Sequence, residues 1–525
     1  MLAVRSSSAL LRQCDTAVKL TTSSVRHIHG FSLSSLDPAV RHFASKLAEH
    51  QPCFPMSSSN VHILHEPKDF YQRLLDMVRH ARRRLFISTL YIGSEDTELI
   101  DTMHASLRRN PDLQIHIHLD YNRSTRPEPR SAARLLLPLT RDYPDRVHVY
   151  LFRSPKLKGL LARLVPPRFN EGWGTWHPKI YGADDDVLIS GANLNSSYFT
   201  NRQDRYIYLA SQPQLAQYCC KFLEAASTFS YSLLPGSSAE QDYVLQWRDE
   251  HTHPHHIEAK AAKVLKEFQA SFMGTPTEAR SEPSPLDEKQ SAQSEPDVLV
   301  LPVIQAGQFN IREEEQCLDM LFTELSRHAT PRGSKLSDYD GPLVDLTSGY
   351  FGLHKPYQDL VLRSHAACRI LAASPKANGF LGSRGISGRI PEGYTFLEQR
   401  FMKAVRAAGL EWSPADRDAP PPGPGVQLRE WEKDGWTYHA KGIWLRPTAT
   451  SDPVLTLFGS TNLNSRSSNL DTELSFVLLT SAPALRARLG AEVDHLRAHA
   501  QPWRGAERRV RLGTKALVFA VGGML

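Results

Sequence analysis

Two histidine and lysine pairs are the residues of this sequence best suited to chemistry. His177 and Lys179 stand two positions apart, and His439 and Lys441 repeat that spacing in the second half of the chain. In an extended segment, residues two apart leave the same face, so an imidazole and an ammonium would enter one cleft. The imidazole can attack phosphorus while the cation neutralises charge on the phosphate oxygens. The pattern therefore predicts group transfer at a phosphodiester.

The repetition extends beyond the two pairs. A turn of small residues containing an asparagine follows each pair, at Asn193 and Asn462, and a carboxylate stands at the same offset behind each turn, at Asp204 and Glu473. One such pair arises by chance in many sequences, whereas two copies with the same turn and acid indicate a duplicated unit. We expect the asparagines to help hold phosphate oxygens, and the carboxylates to orient the imidazoles as in a catalytic triad.

The two copies differ at one position. Asp184 completes the first motif, whereas Arg446 stands where the second motif should carry its acid. We count Asp184 with the catalytic motif but interpret it as stabilising the strand and turn of that motif, which would explain why an arginine can replace its counterpart. Because the first motif is complete, we expect His177 to be the nucleophile and His439 to be the general acid and base.

These paired motifs resemble the phospholipase D superfamily. Within it, segments 168–171, 190–194, 198–205 and 438–444 are similar to the mitochondrial phosphatidylglycerophosphate synthases. The resemblance implies that CDP-diacylglycerol gives its phosphatidyl group to glycerol 3-phosphate with release of CMP. It also implies a phosphohistidine intermediate, and we expect neither a metal nor another cofactor.

A glycine-rich segment offers candidates for substrate binding. Residues 374–385 follow a predicted strand and include Lys376 and Arg384. Backbone amides in such a loop, together with two cations, can bind a phosphate; an exposed loop without a ligand is an equally open interpretation. With Arg205, which follows the acid of the first copy, these residues are our candidates for contacting glycerol 3-phosphate.

The fold class follows from the alternation of strands and helices in both halves. The apolar pattern predicts a helix over 69–84, a buried strand over 85–92 and a helix over 97–109, and segment 343–352 parallels the strand of the first half. This alternation predicts an α/β fold. The resemblance implies two fused αβα sandwich repeats with the active site at their interface.

The chain of 525 residues is too long for one ordinary core, so we expect two domains. Residues 1–55 are predicted to be a mitochondrial transit peptide and disordered N-terminus, because the first 36 residues are rich in arginine and serine and contain one acid. A basic N-terminus without a targeting role is the alternative. The further boundaries are a first domain over 56–273, a flexible linker rich in serine, proline and glutamate over 274–297, a second domain over 298–500, and a basic and apolar tail over 501–525.

Charge and hydrophobicity suit a protein at a membrane surface. The net charge is +6 and the pI is about 8.9, which favours an anionic partner without choosing between lipid and nucleic acid. No segment approaches the roughly 20 apolar residues of a membrane-spanning helix. The six cysteines show no metal-ligand spacing. We expect peripheral contact with an anionic membrane, the mitochondrial inner membrane, and no nucleic-acid partner.

Three other functions stay open. A nuclease of the same superfamily would use the same histidines, although no stretch interleaves aromatic residues with cations as single-strand binders do. A related phosphatidyltransferase, such as a phosphatidylserine or cardiolipin synthase, would differ only in its acceptor. A lipid-binding protein without activity would explain Arg446, but it has no reason to retain His439, Lys441, Asn462 and Glu473 together.

Overall fold

Two large mixed β-sheets form the framework of the structure, a computed structural model that describes residues 27–28, 30–95, 97–126, 131–236, 242–273, 295–327, 341–364, 366–412 and 423–524. The first sheet has nine strands, in the spatial order Tyr243–Gln246, Tyr231–Pro235, Val147–Phe152, Gln114–Asp120, Arg84–Ser88, Ile180–Ala183, Asp186–Ser190, Tyr206–Leu209 and Val61–Leu64. The second has ten, in the order Ile311–Arg312, Val298–Ala306, Glu473–Thr480, Leu455–Gly459, Lys441–Arg446, Leu343–Ser348, Ala367–Ala373, Gly425–Trp431 and Ala500–Pro502, with Phe54–Met56 also pairing with Val298–Ala306.

The two sheets share one topology. In the first, Arg84–Ser88 is parallel to Gln114–Asp120 and antiparallel to Ile180–Ala183. In the second, Leu343–Ser348 is parallel to Ala367–Ala373 and antiparallel to Lys441–Arg446. The strands on either side of these correspond in order and direction as well. The predicted α/β fold with duplicated sandwich repeats is therefore confirmed.

Helices cover the sheets, and the buried apolar side chains form three cores. One core lies on the outer face of each sheet, and the third joins the two halves, where Trp176 and Phe222 belong to the same cluster as Trp444 and Phe476. The longer helices are Pro38–Leu47, Pro67–His80, Thr97–Arg109, Ala132–Asp142, Gly159–Leu164, Pro213–Ser227, Glu258–Ser271, Glu313–Arg327, Lys355–Arg363, Ile390–Ala407, Pro483–Arg497 and Leu512–Val521, and the short ones are Tyr121–Ser124, Ser196–Thr200 and Ser465–Asn469.

Local sequence explains why these elements form. Helix Thr97–Arg109, which the sequence predicts with the same bounds, buries Leu99, Met103 and Leu107, each four residues from the next. Glu98 lies in its first turn and its arginines lie in the last, as the helix dipole favours. Strand Val298–Ala306 is buried along its whole length, and its apolar side chains enter two different cores.

Part of the N-terminal segment is helical, although disorder was predicted up to residue 55. Helix Pro38–Leu47 starts after Asp37, whose carboxylate accepts a hydrogen bond from the Ala39 amide. It buries Phe43 in the outer core of the second half and packs on helix Glu313–Arg327. This helix was not predicted because its apolar partners lie about 280 residues away along the chain. The transit-peptide composition of residues 1–26 and the linker residues 274–294 lie outside the described residues.

The C-terminal tail ends in helix Leu512–Val521, which packs on helix Ile390–Ala407. Thr514 Oγ1 and the Arg511 guanidinium both donate to the carboxylate of Glu392. Within the described ranges, no helix combines the length and the apolar character needed to cross a bilayer.

Candidate active site

The first motif lies just before strand Ile180–Ala183 and is fixed from both sides. Asp120, at the end of its strand, accepts from the backbone N–H of Trp176 at 3.1 Å. The Trp176 indole donates to Ser88 Oγ at 2.9 Å, and that hydroxyl donates to the carbonyl of Pro178, also at 2.9 Å. Because the residues on either side of His177 are held by one neighbouring strand, its imidazole has a defined direction.

The second motif is held across the boundary between the two halves. The backbone N–H of His439 donates to the carbonyl of Gln203 at 2.8 Å, next to Asp204. In the first motif, the N–H of His177 donates to the carbonyl of Thr472 at 3.0 Å, next to Glu473. Each histidine is thus attached by its backbone to the residue preceding a carboxylate of the other half.

The side chains complete these crossed pairs. His177 Nδ1 lies 2.8 Å from Oε2 and 2.9 Å from Oε1 of Glu473. His439 Nδ1 lies 2.6 Å from Oδ2 of Asp204. All four residues are buried, each with at most 4% of its surface exposed. Each half therefore supplies the histidine of one pair and the carboxylate of the other.

The electrostatics fix the tautomers. Although burial opposes ionisation, His177 and Lys179 hold the pKa of Glu473 below its usual value, and Lys441 and His439 likewise lower the pKa of Asp204. A carboxylate can only accept, so the pairing with Glu473 and Asp204 favours a hydrogen on Nδ1 of each imidazole. Nδ1 of His439 also lies 2.8 Å from Lys441 Nζ. Burial lowers the pKa of both histidines, which favours neutral rings in the free protein. Nε2 is then the atom available for chemistry.

The two lysines lie beside their histidines, as the spacing predicts. Lys179 Nζ and Lys441 Nζ donate to the backbone carbonyls of His177 and His439, both at 2.6 Å. Lys441 Nζ also lies 3.5 Å from Asp204 Oδ2. Burial lowers the pKa of Lys179 to about 7 and also lowers the pKa of Lys441. Both ammonium groups are largely removed from water, where an anionic phosphate would attract them strongly.

The two asparagines are buried but differ in their contacts. Asn193 Nδ2 donates to Tyr198 Oη at 3.1 Å, and that hydroxyl lies 3.4 Å from His439 Nε2. Asn462 Oδ1 is buried and has no hydrogen-bond partner among the described residues. The first asparagine therefore supports a tyrosine at the reactive nitrogen of His439, whereas the oxygen of the second is not engaged.

Comparison with known proteins identifies the family. No family model matches the chain. The mitochondrial CDP-diacylglycerol--glycerol-3-phosphate 3-phosphatidyltransferase of Gallus gallus is 34% identical over 491 residues, covering 88% of this chain and 82% of that protein. The enzyme of the same name from Schizosaccharomyces pombe is 33% identical over 505 residues, covering 89% and 94%. This chain belongs to that phosphatidyltransferase family.

A solved structure agrees with this family at the level of the fold. The phosphatidylserine synthase of Haemophilus influenzae Rd KW20 superposes with a TM-score of 0.63, covering 92% of this chain and 98% of that protein. The two sequences are 17% identical, so the likeness concerns the fold alone.

In this phosphatidyltransferase family member, the carboxylate of Asp184 is engaged away from the histidines, which suits its predicted role in stabilising the strand and turn of its motif. Its carboxylate accepts from the backbone N–H groups of Arg82, Arg83 and Arg84, ahead of the neighbouring strand. Arg446 donates to Asp345 on the equivalent strand of the other sheet at 3.0 Å. Asp184 and Arg446 carry opposite charges, but each connects its own strand to a neighbouring strand. An arginine can therefore take the place of the acid in the second motif.

Arg205 is a structural residue, which corrects its assignment to substrate binding. Its guanidinium forms two hydrogen bonds with Glu492, at 2.8 and 2.9 Å, and stacks over Trp444 at 3.8 Å. Both ends of this ion pair are buried. Sequence reasoning failed here because nothing in the local pattern shows that Glu492, in a distant helix, neutralises this arginine.

The other two substrate-binding candidates lie on the surface. Lys376 is 76% exposed in its side chain and pairs with Glu432 at 2.8 Å, and Arg384 is exposed. The glycine-rich loop nevertheless reaches the site at Gly379, where an added Cβ would lie 3.1 Å from Arg202 Nη2 and 3.2 Å from Tyr350 Oη. The loop thus approaches the site through its backbone rather than through its cations.

Several residues of the site were not assigned by sequence reasoning. Tyr198 and Tyr350 place their rings edge-on to His439, with ring centres 5.1 and 5.3 Å away. Arg202 lies over Tyr198, with Cζ 4.5 Å from the ring centre. Gly191 allows Lys441 Nζ and the Asp204 carboxylate to approach its Cα. The similar positions of Tyr91 and Tyr350 in the two halves were the available signal for a tyrosine at the site.

One group of potential metal ligands lies within the site. Ligand atoms of His177, Asp471 and Glu473 fall within 4.8 Å of one another, and all three residues are buried. Their oxygens already accept hydrogen bonds: Asp471 from Thr175 and Arg466, and Glu473 from His177 and the Ser460 hydroxyl. These contacts suit a network that orients His177, and the expectation of chemistry without a metal stays a prediction.

Proposed function

We propose that this protein transfers the phosphatidyl group of CDP-diacylglycerol to the primary hydroxyl of glycerol 3-phosphate. CMP leaves, and phosphatidylglycerophosphate is formed. The family to which the chain belongs supports the substrates. The observation that carries the mechanism is the crossed pairing of His177 with Glu473 and of His439 with Asp204. We further propose that residues 56–273 and 298–500 are the two repeats that build this site.

The reaction divides into two displacements. Nε2 of the neutral His177 attacks the phosphorus of the phosphatidyl group and the bond to the CMP oxygen breaks. His439, which takes up a second proton at Nε2 as the anionic donor binds, gives that proton to the leaving oxygen. His439 then removes the proton from the primary hydroxyl of glycerol 3-phosphate, whose oxygen attacks the same phosphorus and releases His177. The bonds and protons balance without a further reactant. Lys179 and Lys441 neutralise the phosphate oxygens in both steps.

The environments of the two Nε2 atoms support this division of roles. Among the described residues, no hydrogen bond engages Nε2 of His177, so that nitrogen is free to approach phosphorus. Nε2 of His439 faces Tyr198 Oη at 3.4 Å, a polar neighbour suited to an atom that gains and loses a proton. The carboxylates stabilise each imidazolium as it forms.

We also propose that the protein docks peripherally on an anionic membrane, the inner membrane of mitochondria. The large apolar side chains that stand exposed in the described chain fall in three segments, which we call the apolar rim: Leu160, Leu164, Phe169, Leu381, Ile386, Leu512 and Phe519. Exposed cations accompany them in each segment, among them Arg163, Arg384 and Arg511. Apolar side chains beside cations match the acyl boundary and the headgroups of an anionic bilayer.

The three segments of the apolar rim lie close together. Met524, just after the C-terminal helix, would contact a Cβ at Gly172 at 3.6 Å, and Gly172 follows the segment of Leu160 to Phe169. Ile386 and Arg511 line one cavity. The loop that carries Leu381 also includes Gly379, which lies against Tyr350 beside His439. A bilayer at this surface would place a lipid phosphate near the histidines.

CMP release from CDP-diacylglycerol by the purified protein tests the proposal. We expect release to depend on glycerol 3-phosphate and to disappear in His177→Ala and His439→Ala, both of which should remain folded. Serine and phosphatidylglycerol as alternative acceptors, and single-stranded DNA as an alternative substrate, test the related enzymes and the nuclease. Release with serine alone, or DNA cleavage without lipid transfer, would refute the proposed reaction.

A further inference from the structure

Arg202 is a cation whose charge has no acidic partner in the described chain. It lies in the short strand Arg202–Gln203, which pairs with Thr437–Tyr438 next to His439. Its Nε donates to Thr437 Oγ1 at 3.0 Å, and its guanidinium lies over the ring of Tyr198. No described carboxylate forms an ion pair with it. A half-buried guanidinium that contacts only neutral groups favours an anionic ligand.

The other arginines near the site are already paired. Arg466 donates to Asp471 at 2.9 Å, and Arg126 donates to Glu171. Arg205 is held by Glu492. Among the described cations that surround the two histidines, Arg202 therefore combines burial with an unneutralised charge.

The backbone of the glycine-rich loop lies close to both Arg202 and Tyr350. Gly379 has no side chain where a Cβ would meet Arg202 Nη2 at 3.1 Å and Tyr350 Oη at 3.2 Å. Tyr198 lies between Arg202 and His439, with its hydroxyl at His439 Nε2. The guanidinium is thus one aromatic ring away from the atom that handles the proton of the acceptor.

We infer that Arg202, together with Tyr350, binds the phosphate monoester of the acceptor, glycerol 3-phosphate. This inference rests on the proposed function. Three carbons separate the attacking hydroxyl of glycerol 3-phosphate from its phosphate, so a cation beyond the Tyr198 ring suits that phosphate when the hydroxyl is at His439. CMP is also a phosphate monoester, but its leaving oxygen must itself lie at His439, closer than Arg202. Arg202 thereby selects a charged acceptor over a neutral alcohol.

The test compares Arg202→Met and Arg202→Lys with the wild type, using glycerol 3-phosphate and glycerol as acceptors. In Arg202→Met we expect KM for glycerol 3-phosphate to rise at least tenfold with a smaller change in kcat. The preference for glycerol 3-phosphate over glycerol, measured as the ratio of the two kcat/KM values, should fall at least tenfold, and inhibition by CMP should change less than this ratio. Lysine should restore part of the affinity, because it retains the charge without the planar geometry.

Controls separate ligand binding from a structural role. Arg108→Met removes an exposed arginine from helix Thr97–Arg109, outside the site and the apolar rim, and should leave KM unchanged. Thermal unfolding checks the fold, and Tyr350→Phe, which removes one hydroxyl, provides a second variant should Arg202→Met be unstable. We expect it to raise KM for glycerol 3-phosphate more than KM for glycerol.

Three outcomes would overturn the inference: an unchanged KM for glycerol 3-phosphate, equal losses with glycerol and glycerol 3-phosphate, or a loss of CMP inhibition alone. The last outcome would assign Arg202 to the phosphate of the donor. A wild-type protein that transfers nothing to glycerol 3-phosphate would instead refute the proposed function, so the two failures are distinguishable.

Discussion

Nδ1 of His177 lies 2.8 Å from Oε2 of Glu473, and these two residues belong to opposite halves of the chain. The reciprocal pair, His439 with Asp204, is 2.6 Å apart. Neither half therefore contains a complete histidine and carboxylate pair. Both pairs therefore form only when the two halves of the chain are packed against one another.

Removing the charge of either carboxylate tests these pairs. We expect Glu473→Gln and Asp204→Asn each to lower kcat by about 10²- to 10⁴-fold, because the amide no longer fixes the tautomer or stabilises the imidazolium. Loss of a histidine should cost more. In steady-state assays, adding Glu473→Gln to His177→Ala should cause little further loss, since the carboxylate acts through the histidine. A full additional loss would mean that Glu473 acts independently.

Gly191 is expected to tolerate no side chain. A Cβ at this position would lie 2.4 Å from Asp204 Oδ1 and 2.5 Å from Lys441 Nζ. Gly191→Ala should displace both groups and lower kcat by about 10²-fold, the typical cost of a misplacement near 1 Å. Gly172→Ala, where the nearest contact is 3.6 Å, is the matched control and should retain activity. Equal activity of the two variants would contradict the geometry.

The pH profile should report the buried ammonium of Lys179. Its pKa is lowered by burial to about 7, so the group is charged below that pH and neutral above it. We expect kcat/KM to fall by about tenfold for each pH unit above 7, as the cation that stabilises the phosphate oxygens is lost. Lys179→Arg should be slower at pH 7 but should move the alkaline limb to higher pH. An alkaline limb that stays in place would assign it to another group.

Arg205 is expected to contribute to stability rather than to substrate affinity. Arg205→Ala would leave Glu492 buried and unpaired and should lower the free energy of unfolding by about 3–5 kcal/mol. A marked fall in Tm, measured by calorimetry, is the readout, with the exposed Arg384→Ala as control. The double variant Arg205→Met, Glu492→Met should melt above Arg205→Ala, since no unpaired charge is left. An unchanged Tm with a raised KM for glycerol 3-phosphate would return Arg205 to the substrate site.

The apolar rim predicts membrane affinity. Leu512 is 82% exposed and Phe519 is 71% exposed, and burial of such side chains in the acyl boundary contributes roughly 1.5–3 kcal/mol each. Leu512→Ser and Phe519→Ser should each lower sedimentation with anionic vesicles by about tenfold or more. Activity on a short-chain, water-soluble CDP-diacylglycerol should be retained. Unchanged sedimentation of the double variant would remove this helix from the membrane-binding surface.

Local sequence was sufficient to predict the fold class and the placement of each lysine beside its histidine. His177 and Lys179 share a face because they are two apart in an extended segment, and that relation depends on local geometry alone. The repeated strand pattern and the second motif likewise lie in short segments that can be compared along the chain. For this reason the α/β fold and its duplication were predictable from the order of the residues, whereas the catalytic role of the histidines stays a prediction.

Tertiary packing, by contrast, selects which groups meet across the interface. The pairing of His177 with Glu473, the neutralisation of Arg205 by Glu492 and the approach of Gly379 to Arg202 each join segments far apart along the chain. Such contacts depend on the register and packing of two sheets, which leave no periodic trace in the sequence. The helix Pro38–Leu47 was not predicted for the same reason, because its apolar face packs against residues of the second half of the chain.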